Sequence, residues 1–122
     1  VPAAGRTRTI VVVEDNPSVA EALEAALELE GHSVAVFSDG PSTLAGVSEL
    51  KPDVFLIDVG LPGMDGYELA AKLKQQSSTK DALLIAVSGF KRREQADAGD
   101  AFAYYFSKPV DVSALLTLID QR

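Results

Sequence analysis

Five side chains carry most of the chemistry open to this sequence. Glu14 and Asp15 sit side by side in "VVVEDNP", and Asp58 closes the apolar run "DVFLID". Ser88 follows "ALLIAV", and Lys108 stands before Pro109 in "YYFSKPV". Gathered in one place, three carboxylates, a hydroxyl and an ammonium make a site for a hard cation and an oxyanion. Clustered carboxylates raise one another's pKa unless a cation neutralises them. Oxygen-only ligation suits Mg²⁺, which takes one or two carboxylates, keeps several waters and leaves room for phosphate oxygens. After Asp58 comes "VGLPGMDG", a stretch poor in side chains. Such a loop lets backbone approach a ligand closely, and Gly60 is placed to offer its carbonyl to a metal.

Each of these residues, taken alone, has a plainer explanation. Glu14 and Asp15 fit a solvated turn before a helix, where acids complement the helix dipole. A strand-ending aspartate commonly caps a turn. Lys108 fits a surface lysine and Ser88 an ordinary loop residue. The argument for a site is the coincidence of all of them at the ends of four apolar runs.

Those runs are the elements that would position the site. "TIVVVE" (9–14) is β-branched and continuous, as suits a strand buried on both faces. Further strands are expected at 33–37, 53–58, 82–88 and 101–107. A helix is expected after Asn16 as cap and Pro17 as first residue, stopping at Gly31. Its inward face would be Val19, Leu23, Ala26 and Leu27. A second helix spans 41–50 with Leu44, Val47 and Leu50 inward. A third begins at Asp65, where Asp65 and Glu68 have capping-box spacing, and its core face is Leu69, Ala70 and Leu73. A fourth is expected over 90–100, where "KRREQADAGD" offers little for packing. The last follows Pro109, capped by Asp111, with Val112, Leu115, Leu116 and Ile119 inward. Five βα units with apolar strands imply an α/β fold, a five-stranded parallel sheet covered by helices on both faces. Ligands of such sheets sit beyond the carboxyl ends of the strands, which is where the five chemical residues fall.

Composition limits the alternatives. The 122 residues suffice for one domain with a real core. There is no cysteine, which excludes disulfides and thiolate metal sites. The net charge of −7 argues against direct nucleic-acid binding by this segment. No apolar run is long enough to span a bilayer, and "VPAAGRTRT" lacks the apolar core of a signal peptide. The chain begins with Val, and its only methionine is Met64. That points to a processed product or, more strongly, to a segment of a longer protein.

In combination, "VVEDNP", "LIDVGLPGMDG", "VSG" and "SKPV", in this order, resemble the receiver domain of two-component response regulators. The resemblance covers about residues 8–120, leaving 1–7 as an N-terminal extension. It implies a flavodoxin-like fold with strand order 2-1-3-4-5. It implies Asp58 as phosphoacceptor, with Asp15 directly on Mg²⁺, Glu14 through water, and the Gly60 carbonyl completing the metal site. Ser88 would contact the phosphoryl group as the switch hydroxyl, Lys108 would pair with it, and Tyr105 would be the switch aromatic. The Lys108–Pro109 bond resembles one that is usually cis. The partner implied is a histidine kinase or histidine phosphotransfer domain, in the cytoplasm, with phosphorylation-dependent homodimerisation as an option. As a domain it would be no enzyme beyond Mg²⁺-dependent self-phosphorylation and dephosphorylation. "LPGMDGYELA" and "SKPVDVSALLTLI" look more like receivers of hybrid sensor histidine kinases than like those of DNA-binding regulators, so the parent could be a kinase.

Two other functions on a related plan are weaker. Many aspartate-based phosphatases carry a second acid two residues after the nucleophile, where this chain has Gly60. A flavin module needs a phosphate-cradling loop after the first strand, where "EDNPS" places two acids. His32, between Gly31 and the second strand, reads as a solvated loop residue and not as a phosphodonor.

Overall fold

A computed structural model of the chain describes residues 7–89 and 101–121. The helix expected at 90–100 and all but the last residue of the extension at 1–7 lie outside the described residues. The strands are β1 (Thr9–Val13), β2 (Ser33–Phe37), β3 (Val54–Asp58), β4 (Leu83–Ser88) and β5 (Tyr104–Ser107). They pair in parallel in the order β2-β1-β3-β4-β5. The four helices among the described residues are α1 (Pro17–Leu29), α2 (Gly40–Gly46), α3 (Gly66–Gln75) and α4 (Val112–Asp120). This α4 is the helix expected after Pro109.

The period-two geometry of strands splits the core into two layers. Val11 and Val13 of β1 and Phe55 and Ile57 of β3 join Leu69, Ala70 and Leu73 of α3 on one face. Ile10, Val12, Val54 and Leu56 join Leu23 and Leu27 of α1 and Leu115 and Ile119 of α4 on the other. The three inner strands are thus buried on both faces, which is why their sequences read as continuous apolar runs. Fully burying each such Leu or Ile stabilises the fold by about 1.5–3 kcal/mol.

The helix starts follow their caps. The Asn16 side chain accepts from the Ser18 and Val19 amides, Asp65 from the Glu68 amide, and Asp111 from the Ala114 amide. Such caps satisfy amides that have no partner inside the helix. Gly31 takes φ +96° just beyond α1, the left-handed conformation glycine adopts freely. In α1 the buried residues are Ala20, Leu23 and Leu27, with Val19 and Ala26 half-buried. In α4, Leu115 and Ile119 are fully buried while Val112 and Leu116 are half-buried.

Three expectations need correction. The second helix does not run over 41–50 but ends at Gly46, with Val47 capping it through a bond to the Thr43 carbonyl. Val47 is buried and Leu44 half-buried, but Leu50, past the helix end, is exposed. The fifth strand begins at Tyr104, not at 101. Phe102 instead turns into the α3-side core, edge-on to Tyr67 at 5.7 Å. His32 is buried, not solvated. Pairing of β2 with the start of β1 brings it beside Arg8, whose amide donates to His32 Nδ1 at 3.1 Å.

Candidate functional site

Main-chain bonds place the chemical residues before any side chain acts. Glu14 follows β1, and its amide donates to the Phe37 carbonyl at 3.0 Å. Asp58 is the last residue of β3, in register with Val87, and the next amide, Val59, donates to the Val87 carbonyl at 3.0 Å. Ser88 ends β4 one residue further on. Lys108 follows β5, and its amide donates to the Ser88 carbonyl at 2.8 Å. Four strand ends therefore converge on one rim.

On that rim Lys108 joins the carboxylates. Its Nζ lies 3.0 Å from Glu14 Oε1 and 3.2 Å from Asp58 Oδ2. The two carboxylates are almost fully buried, while the Lys108 side chain is 27% exposed. Each acid also takes a backbone amide. Asn16 N–H donates to Glu14 Oε2 at 3.1 Å, and Gly60 N–H donates to Asp58 Oδ1 at 2.9 Å. Asp15 is exposed, and Glu14, Asp15 and Asp58 can each set one oxygen within 4.8 Å of the others.

The electrostatics reflect this crowding. Burial pushes the Glu14 carboxyl above its ordinary range, and the Asp58 charge adds to the push. The Lys108 hydrogen bond and the Asn16 amide pull it back only in part. For Lys108 burial opposes the charge, but the bonds and charges of Glu14 and Asp58 outweigh it and hold the ammonium above its ordinary range. Among the described residues, three acids face one lysine on the rim, an excess of negative charge that a divalent cation corrects.

The remaining expected residues fall close by in the fold. Gly60 is exposed in the loop after Asp58. Ser88 is buried at the end of β4. Tyr105 is half-buried, its ring edge-on to Phe102 at 5.8 Å, while Tyr104 faces out at 44% exposure. The Lys108–Pro109 peptide bond is cis. Gly66, among the glycines expected to leave room for a ligand, instead makes room for the protein's own backbone at Asp58 and Val59.

The response regulator receiver domain model matches residues 10–120. This chain belongs to the response regulator receiver family. The receiver is 32% identical over 114 residues to an uncharacterised 14.6 kDa protein of Leptolyngbya boryana, spanning 92% of this chain and 87% of that one. It is 34% identical over 106 residues to the transcriptional regulatory protein TcrA of Mycobacterium tuberculosis, spanning 87% of this chain but 42% of TcrA. Over a shorter stretch it matches the DNA-binding response regulator MtrA of Mycolicibacterium smegmatis at 43% identity, 63% of this chain and 34% of that one. The chain thus spans less than half the length of these two regulators. A CheY-like receiver domain from Methylobacillus flagellatus superposes with TM-score 0.86 at 28% identity, covering 95% of this chain and 98% of that one. The receiver domain of a sensor histidine kinase from Pseudomonas aeruginosa, solved with a magnesium ion coordinated in its active-site cleft, superposes with TM-score 0.80 at 25% identity, covering 95% and 97%. No helix among the described residues is long and apolar enough to cross a membrane.

Proposed function

We propose that this receiver accepts a phosphoryl group on Asp58 from a phosphohistidine and relays the event through a conformational switch. The observation that carries the reading is the rim itself: Lys108 Nζ bridges the Asp58 and Glu14 carboxylates at 3.2 and 3.0 Å, beside the exposed Asp15. An Asp58 carboxylate oxygen forms a bond to phosphorus as the phosphorus–nitrogen bond of the donor breaks. The bonding pair leaves on the imidazole nitrogen, and the product is an acyl phosphate. Lys108 is held where charge on the transferring oxygens develops, and little else is asked of the protein than placement.

The donor set fits Mg²⁺, being all oxygen, rich in carboxylates and compact. Asp15, Asp58 and the Gly60 carbonyl would hold the ion directly, and Glu14 through water. Bound there, it would neutralise the acids and screen the phosphoryl oxygens.

Phosphorylation adds about −1.5 to −2 charges to the rim. Ser88 then engages the phosphoryl group and Tyr105 moves inward, biasing a two-state equilibrium at the face of β5 and α4; the helix expected over 90–100, which belongs to the same switching face in this reading, lies outside the described residues. Homodimerisation through that surface is one output open to it. The donor is a histidine kinase or a histidine phosphotransfer domain. An apolar groove of about 510 Å³, lined by Val19 and Leu23 of α1 and by Pro109 and Val110, borders Lys108 and supports a protein donor. A second reading of the parent, a hybrid sensor histidine kinase acting in a phosphorelay, is favoured by similarity to receivers of two histidine kinases, at TM-scores 0.80 and 0.83. The reading as an aspartate-based phosphatase loses support, because Gly60 is exposed where a second acid would stand.

The test is intact-mass measurement after incubation with a small phosphodonor and Mg²⁺. One phosphoryl group should appear on the wild type and none on Asp58→Asn. Equal uptake by the variant would sink the assignment.

A further inference from the structure

The loop that leaves Asp58 is pinched shut where it rejoins the fold. Gly66, the first residue of α3, lies on the peptide group that follows the Asp58 side chain. A Cβ at Gly66 would sit 2.6 Å from Val59 Cα, 2.8 Å from the Asp58 carbonyl oxygen and 3.2 Å from its carbon. All three are backbone atoms, so no rotamer change can relieve the overlap. The Gly66 amide also donates to the Val59 carbonyl at 3.2 Å, while the Val59 amide donates to Val87 on β4. Val59 is therefore held from both sides. The next amide, Gly60, donates to Asp58 Oδ1 at 2.9 Å, and Oδ2 is left to Lys108 at 3.2 Å.

We propose that Gly66 is a positioning residue for Asp58: by admitting α3 onto the Asp58–Val59 peptide, it fixes the Gly60 amide on Oδ1 and so presents Oδ2 to Lys108. This deepens the proposed phosphoacceptor role and rests on it. The requirement at Gly66 is for space. Gly63, in the same loop, differs in kind. It takes φ +75°, and nothing lies within 4 Å of where its Cβ would be.

That contrast supplies the control. Gly63→Ala strains the loop backbone without touching Asp58, whereas Gly66→Ala displaces Val59. Two readouts are compared: the NMR shift and hydrogen exchange of the Gly60 amide, and the rate of labelling by acetyl phosphate with Mg²⁺. Both variants are measured well below their unfolding midpoints. In Gly66→Ala the Gly60 amide should move upfield and labelling should slow about tenfold, since small misplacements of reacting groups cost that much or more. In Gly63→Ala both should stay near wild type. Should Gly66→Ala not fold, Val59→Gly, which frees the intermediate backbone without adding an atom, should speed hydrogen exchange of the Gly60 amide beyond the change that the altered neighbour causes in an unfolded chain. A wild-type Gly60 amide in Gly66→Ala (or, failing that variant, in Val59→Gly) overturns the inference, as do equal changes in Gly66→Ala and Gly63→Ala. A wild type that takes up no phosphate overturns the functional reading instead, and the Gly60 amide still decides the positioning.

Discussion

At the amino ends of the strands, His32 accepts from the Arg8 amide at 3.1 Å and Asp53 accepts from the Thr9 amide at 2.9 Å. Polar side chains there close off backbone groups, one partner each. At the carboxyl ends the arrangement is reversed. Main-chain bonds set the frame, and Glu14, Asp58 and Lys108 face one another. Local satisfaction with backbone contributes stability and leaves nothing to react. Coupled charges hold one another in a partly balanced state that a cation or a phosphoryl group can change. On the proposed function, the same sheet has a structural end and a reactive end, and substitutions should tell them apart.

The largest contrast is expected from Lys108→Ala. It removes the charge that faces both carboxylates, and phosphate uptake should fall by about 10²-fold or more, as when a donor aimed at developing charge is lost. Uptake within a factor of three of wild type would show that the lysine is only structural.

Mg²⁺ should come next. The Glu14 carboxyl is raised by burial first and by the Asp58 charge after it. A group whose pKa is higher folded than unfolded gives stability that is present below the unfolded value and lost as pH climbs through the folded one. In metal-free solution, urea unfolding should therefore show stability declining as pH rises past 4.5, the ordinary Glu14 value. Mg²⁺ at a hundred times its Kd should add about 2.7 kcal/mol at neutral pH. Asp15→Asn should abolish that gain at little cost to the metal-free fold, because Asp15 is exposed. An undiminished gain would move the ion elsewhere.

The smallest effect belongs to the amino end. His32→Phe deprives the buried Arg8 amide of its acceptor and should cost about 1–3 kcal/mol in denaturant unfolding. Phosphate uptake by the folded variant should be unchanged. A loss of uptake would mean that the two ends are coupled.

The sequence makes the two ends unequally legible. The carboxyl rim was readable because its acids and lysine terminate apolar runs, and a parallel sheet brings such termini together. The inner strands were readable because burial on both faces leaves no alternation. His32 was misread because its partner is the amide of Arg8, and that adjacency exists only once β1 and β2 pair. The excess length given to the fifth strand has a similar origin. "AFAYYF" is uniformly apolar, yet Phe102 is spent on packing against Tyr67 and Tyr105 before pairing becomes regular. Leu50 kept the helical period on paper, but the helix had already ended at Gly46. The glycines after Asp58 could be counted but not ranked, since space at Gly66 and φ at Gly63 leave the same letter.

The amide-to-carbonyl hydrogen bonds at the rim leave its side chains exchangeable. Glu14, Val59 and Lys108 are seated by main-chain bonds to Phe37, Val87 and Ser88, and none of those bonds depends on what the side chains carry. The mounting points would survive a change of cargo. Other side chains installed at positions 14, 58 and 108 would start from the same backbone spacing, which makes the rim a socket whose tool can be replaced without rebuilding the handle.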